Sequence, residues 1–316
     1  MSFRKPIIVD TDAGVDDAVA LLLLLHDPLV EVKAITTVSG NVSVEKVTRN
    51  VGLLLAAGQL NVPIYAGAAL PFWGQPMRSE DIMGEDGLGG AAATFSMPAR
   101  QAESEPAAVA LVRLAKEYQN LPDFTLLAIG PLTNLGLAVR LDPGFAKRVP
   151  HLVIMGGAVH ARGNTSAAAE FNTFADPESA RIVFSAGFSD IALLPWETSL
   201  ENPLPWDRYN QLASLSTPIA QLFATITRSL SIMMKDQFGM PGYVLPDLLA
   251  AAVALNENLV THVHPGFVDV DIAHGIGRGL TAVRWHSAQD PSANVRILEG
   301  VDSNGIFERL TAVLGG

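Results

Sequence analysis

Short apolar runs alternate with longer stretches of helical period along this chain. Residues 6–9, 32–38, 124–129, 152–155 and 191–194 are continuous apolar runs bounded by Asp, Gly or Pro. Such runs fit strands buried on both faces of a parallel sheet. Residues 17–25 predict a helix after the first strand, and residues 44–57 predict one after the second, ending near Gly58. Residues 106–118 predict a helix with Pro106 in its first turn. Asp176-Pro177-Glu178 opens another, with Asp176 as N-cap and Pro177 at the first helical position, and Gly187 closes it. Residues 218–235 and 247–255 complete the helical set. This order implies an α/β fold with a mostly parallel, doubly wound sheet flanked by helices. The pattern then changes. Residues 266–271 and 281–285 predict strands joined by a turn at 275–279, a C-terminal β extension. With no repeat and no linker rich in Gly, Ser or Pro, the expectation is a single domain over residues 1–316.

Composition narrows the classes. About half of the 316 residues are apolar and 17% are charged, which suits a large core and not a disordered chain. The formal charge of -11 argues against nucleic acid as a partner. The absence of cysteine excludes disulfides, zinc–thiolate sites and Cys nucleophiles. The apolar runs 18–25 and 248–255 fall short of the ~20 residues that span a bilayer. No secretory pattern is read at the N-terminus, so the expectation is a cytoplasmic protein with no membrane partner. The rather apolar composition also fits a buried subunit interface.

The densest chemistry lies in residues 7–18. An apolar strand runs into Asp10, Asp12, Asp16 and Asp17, with Gly14 read as permitting a sharp turn. Strand ends are where open α/β sheets bind ligands. Capping and Asx turns can account for one or two of these residues. Four carboxylates so close repel one another unless a cation sits among them or some stay protonated. A hard divalent ion with oxygen ligands answers that repulsion.

The segment from Asp10 to Asp17 resembles the signature of the inosine–uridine-preferring nucleoside hydrolases. The resemblance continues at residues 35–41 (Ile-Thr-Thr-Val-Ser-Gly-Asn), 130–134 (Gly-Pro-Leu-Thr-Asn), 155–157 (Met-Gly-Gly), from Asn164 through Glu170-Phe171-Asn172, and at Asp247. It implies Ca²⁺-dependent hydrolysis of the N-glycosidic bond of ribonucleosides to ribose and free base. Asp12, Asp17, the Ile129 carbonyl and Asp247 would hold Ca²⁺, and Asp12 would also take a proton from a metal-bound water. Asp16 would hold a ribose hydroxyl. Asn41, Asn164, Glu170 and Asn172 match positions that contact the sugar. A homodimer or homotetramer is also implied. Such a reaction builds oxocarbenium-like charge on the sugar, which nearby carboxylates stabilise.

The chain departs from the family at the leaving group. Pro246 stands where one branch of the family carries a histidine, and Met83 where a second histidine often stands. A purine-specific branch of the family stacks the base between aromatic rings instead, and Trp73, Trp196, Phe171 and Tyr243 are the aromatic residues considered for such contacts. Trp73 and Trp196 read equally well as core or interface residues. Tyr243, between Gly242 and Asp247, is read as a contact of the base or leaving group and so as catalytic. Thr133 and Asn134 read as organisers of a helix start. The seven histidines, at 26, 151, 160, 262, 264, 274 and 286, show no HExxH spacing and read as surface or capping residues. Two other functions compete: a Mg²⁺ phosphohydrolase of the haloacid-dehalogenase type, which also carries Asp-x-Asp after a first strand, and a non-catalytic nucleoside or ribose binder. The first leaves Asp16 and Asp17 without a role.

Overall fold

The computed structural model describes residues 4–121, 123–285 and 292–316; His286 and the first three residues lie outside them. Six parallel strands form most of the sheet: β1 Lys5–Thr11, β2 Val30–Thr37, β3 Ile64–Ala66, β4 Thr125–Ala128, β5 His151–Met155 and β6 Ile191–Leu194. A small antiparallel pair, β7 Leu204–Pro205 and β8 Gly242–Tyr243, stands apart. The last strands are β9 Val260–Val270, β10 Thr281–Trp285 and β11 Val295–Val301. β11 joins β6 in parallel, while β9 and β10 add antiparallel to that edge. The order across the nine strands is β10-β9-β11-β6-β5-β4-β1-β2-β3.

Alternation along each strand feeds two cores. Ile7 and Val9 enter one apolar cluster with α1 (Val15–His26), α2 (Val44–Ala57) and the helix Pro246–Leu255. Ile8 enters the other, with the helices Ala107–Tyr118, Thr133–Leu141 and Pro177–Phe184. Leu127 and Val153 follow the first pattern, Leu126, Leu152 and Ile154 the second. A sheet covered on both faces needs such unbroken apolar strands. No helix among the described residues is long and apolar enough to cross a membrane.

The topology positions the site. From β1 the chain winds one way through β2 and β3, then returns to β4 on the other side of β1. Connections leave the carboxyl ends of β1 and β4 in opposite directions, opening a crevice between them. Asp12 follows β1 and Ile129 follows β4. α1 and the helix Pro246–Leu255 pack together on one face. Each carries acidic residues in its first turn: Asp16 and Asp17 on α1, Asp247 on its neighbour.

Some boundaries differ from the sequence reading. β3 and β11 were not predicted, and β9 begins at Val260 instead of 266. β3 has only three residues, and β11 mixes Arg296, Glu299 and Gly300 into its apolar pattern. The helix from Pro218 ends at Ile232 and passes into a π-turn, Met233–Gln237. Pro106 is the N-cap of its helix, not its first residue, whereas Asp176 and Pro177 sit as expected. Gly14 does not supply a left-handed turn, since its φ is -76°. Ala13 takes that conformation, with φ 37°. Gly14 is needed for space instead: a Cβ there would lie 2.4 Å from Asn41 Nδ2.

Candidate active site

A cavity of about 480 Å³ opens at the crevice. Asp12, Asp16, Asp17, Asn41, Ile129, Asn164, Glu170, Phe171, Asn172, Trp196 and Asp247 all line it. These positions come from seven separate stretches of chain.

Local structure aims each group. Asp17 Oδ1 accepts from the Thr11 hydroxyl at 2.5 Å, and Oδ2 accepts from the Gly14 backbone N–H at 2.9 Å. The second bond is that of a helix N3 carboxylate satisfying the N-cap amide. Asn41 reaches in from the loop after β2. Its backbone N–H donates to Asp12 Oδ2, and its side-chain amide donates to Asp17 Oδ2 at 3.3 Å. Asn172 Nδ2 donates to the carbonyls of Ile129 and Met155, at 3.1 and 3.2 Å, so it ties β4 to β5 at the cavity floor. Glu170 caps the short helix Phe171–Ala175, accepting from the N–H groups of Asn172 and Thr173 and also of Gly157. Asp10 does not line the cavity; Thr36 and Asn134 bond its Oδ1 at 2.5 and 2.8 Å. Asn134 also donates to the Thr37 carbonyl, and Thr133 bonds Asp176, so both organise the helix start at Thr133.

One atom each from Asp16, Asp17 and Asp247 lie within 4.8 Å of one another. Burial raises the carboxyls of Asp12 and Asp247 well above their ordinary range, and like charge on Asp17 and Asp16 respectively adds to it. Burial and then Asp17 push Asp16 up to about 7. Burial also raises Asp17, although Thr11 and Gly14 stabilise its charged form. Two helix N-termini face the cluster, which favours anions there but does not neutralise them. Arg78, at the cavity wall, donates through Nη1 to the Ser39 hydroxyl and the Met77 carbonyl and makes no ion pair with the cluster among the described residues. Asp16 Oδ1 is buried without a hydrogen-bond partner among the described residues. An all-oxygen donor set with uncompensated charge and an orphaned acceptor fits a hard divalent cation.

Two expected aromatic residues fall elsewhere. Trp73 is 57% exposed and packs on His274, with ring centroids 4.4 Å apart. Tyr243 is fully buried behind the wall, its ring 5.2 Å from that of Tyr209, and it does not line the cavity. Its hydroxyl has no partner among the described residues. Trp196 and Phe171 remain as the aromatic lining, and Met83 and Pro246 line the cavity too. Sequence reasoning missed Ser79, whose hydroxyl donates to Asn41 Oδ1 at 2.5 Å. It also missed the buried Glu197, which accepts from the N–H groups of Val159, His160 and Arg162 and so braces the loop carrying Asn164. Neither residue stands in a recognisable motif.

The family model described as inosine-uridine preferring nucleoside hydrolase matches residues 7–308. The chain belongs to that family. It is an enzyme of the ribonucleoside hydrolase kind, acting on N-glycosidic bonds. Uridine nucleosidase 1 of Arabidopsis thaliana is 32% identical, over 98% of this chain and 93% of the relative. A non-specific ribonucleoside hydrolase of Escherichia coli (strain SMS-3-5) is 34% identical, over 98% of both. Among solved structures, an inosine-guanosine nucleoside hydrolase superposes with a TM-score of 0.89 at 28% identity, covering 98% of each chain. A plant nucleoside hydrolase gives 0.89 at 30% identity, covering 99% of each. Nucleoside hydrolase membership displaces the phosphohydrolase alternative.

Proposed function

We propose that this nucleoside hydrolase works with Ca²⁺ held by Asp12, Asp17, Asp247 and the Ile129 carbonyl oxygen. The observation that carries this reading is the convergence of Asp16, Asp17 and Asp247, from opposite ends of the sequence, on one cavity lined also by Asp12 and Ile129. When bound, the ion supplies a Lewis acid that orients the attacking water and sugar hydroxyls and lowers the pKa of that water. Asp12 accepts the proton of the attacking water, aimed by the Asn41 N–H on its Oδ2. Asp16, with its free buried oxygen, accepts a ribose hydroxyl. Asn41, Asn164 and Asn172 hold the rest of the sugar through their side-chain amides, and Glu170 through its carboxylate. The surrounding carboxylates stabilise the positive charge that grows on the ring as the C–N bond breaks. Trp196 and Phe171 flank the base; Met83 and Pro246 beside it offer no acid, so the departing nitrogen takes its proton through solvent, balancing the one that Asp12 removes from the attacking water. We further infer one domain, a homodimer or homotetramer, and a cytoplasmic setting.

A panel of inosine, adenosine, guanosine, uridine and cytidine, assayed for free base with and without chelator, tests the proposal. Base release should need Ca²⁺, vanish with chelator and return on adding the ion. Asp247→Asn should abolish the dependence together with the activity. Deoxyadenosine should show kcat/KM about 10⁴-fold below adenosine, because buried groups built for the 2′-hydroxyl lose their partner. Full turnover in chelator would overturn the metal assignment. Base release from none of these nucleosides in the presence of Ca²⁺ would overturn the reading of the cavity.

A further inference from the structure

A second group of ligating side chains gathers on β9 and β11, outside the cavity. His262 and His264 stand two residues apart on β9, so both imidazoles leave the same face. On β11, Ile297 pairs with His264 and Gly300 with His262, with a register irregularity between Leu298 and Gly300. Alternation from the buried Ile297 turns Glu299 toward the face of the two histidines. One ligand atom from each of His262, His264 and Glu299 lies within 4.8 Å of the others. Gly300 makes room for this arrangement, because a Cβ there would lie 2.9 Å from His262 Cβ.

The loop after β5 completes the surroundings. His160 Nε2 lies 2.9 Å from Glu299 Oε1, while His264 Nδ1 bonds Glu299 Oε2. The His160 ring stacks on Trp285 at 5.2 Å and 15°, and its backbone N–H donates to Glu197. The rings of His262 and His264 meet edge to face, with centroids 4.7 Å apart. A simple ion pair on Glu299 needs one imidazole and leaves His262 without a purpose. Several imidazoles gathered around one carboxylate are instead the donor set of a borderline transition-metal ion. Both β9 histidines are exposed, which leaves an entry path and open positions for water.

We propose that His262, His264 and Glu299 form a binding site for a divalent transition-metal ion of the Zn²⁺ class, with His160 holding the carboxylate from the other side. The site is separate from the acidic cavity, whose ligands are all oxygen.

Calorimetric titration of Zn²⁺ into the tag-free full chain, in excess Ca²⁺, tests this. About one Zn²⁺ per chain should bind, and His264→Ala and Glu299→Gln should each weaken it by at least about tenfold. His264 is exposed and Glu299 half-buried, and thermal melting checks that the variants stay folded. His26→Ala, far from the cluster, and Asp247→Asn, in the cavity, should bind as the parent chain does. Nucleoside hydrolysis by His264→Ala should be unchanged. No uptake of Zn²⁺, equal affinity in His264→Ala and Glu299→Gln, or loss in Asp247→Asn instead, would each overturn the proposal.

Discussion

The backbone N–H of Asn41 donates to Asp12 Oδ2 at 2.7 Å, across 29 positions of sequence. The same residue's amide reaches Asp17 Oδ2, and its oxygen accepts from Ser79. One loop residue therefore orients two carboxylates. Asn41→Ala keeps the backbone bond, removes the bond to Asp17 and strands the Ser79 hydroxyl. Groups that orient a metal ligand typically contribute 10–100-fold. Steady-state kinetics on Asn41→Ala should show kcat/KM reduced by about that factor; an unchanged value would remove Asn41 from the machinery.

Gly40, the preceding residue, lies against the same carboxylate. A Cβ at this position would lie 2.1 Å from Asp12 Oδ2 and 2.8 Å from Asp12 Cβ. Its φ is outside the left-handed region, so alanine adds no backbone strain. The whole effect falls on the direction of Asp12. A catalytic group misplaced by about 1 Å can cost roughly 10²-fold in rate. Gly40→Ala should retain its circular dichroism spectrum while kcat falls by about that much. A variant with parental kcat would mean that Asp12 has room to move, and that its position is not critical.

The acidic turn and the parallel core were legible in the residues because each obeys a local rule. Buried strands must be continuous and apolar, and four neighbouring carboxylates demand a counter-charge. The partnership of Asp247 with Asp17 follows no local rule. It depends on α1 and the helix Pro246–Leu255 packing side by side, and only the family resemblance anticipated it. Glu197 illustrates what stayed hidden: its carboxylate accepts three backbone N–H groups from a loop more than thirty residues earlier. Trp73 and Trp196 look alike as isolated aromatic residues, yet one packs on a surface histidine and the other lines the cavity. β11 was hidden because Arg296 and Glu299 turn their polar side chains to partners outside the core, which breaks the apolar run expected of a strand.

Tyr243 provides a test of position against sequence proximity. It lies four residues before Asp247, but its ring packs against Tyr209 and Trp206. Its hydroxyl is buried without a partner among the described residues. Burial, then the nearby Asp16, holds that phenol well above its ordinary pKa, so it stays neutral. Removing an unpaired buried hydroxyl avoids a desolvation penalty of about 1 kcal/mol. Tyr243→Phe should keep kcat and KM within about twofold and match or exceed the parent in stability. A large loss of kcat would return the hydroxyl to the reaction.

Asp190 gives a stability prediction with a definite pH sign. Burial alone would raise its carboxyl, but two bonds from Arg296, at 2.7 and 3.0 Å, and one from His151 hold it below its ordinary 3.8. Arg296 stands on β11 and Asp190 just before β6, so the pair clamps the junction between the parallel core and the antiparallel extension. A carboxylate depressed on folding stabilises the protein above its unfolded pKa and loses that contribution as the pH falls through the folded value. Arg296 is about one-third exposed, so solvent screening limits the pair to about 1 kcal/mol. Urea unfolding of the parent and Arg296→Ala should differ by that amount at pH 7. The gap should hold down to about pH 4 and close on further acidification, once Asp190 is protonated in both states. A gap that stays constant to pH 2 would mean that Arg296 acts through its packing and not through its charge.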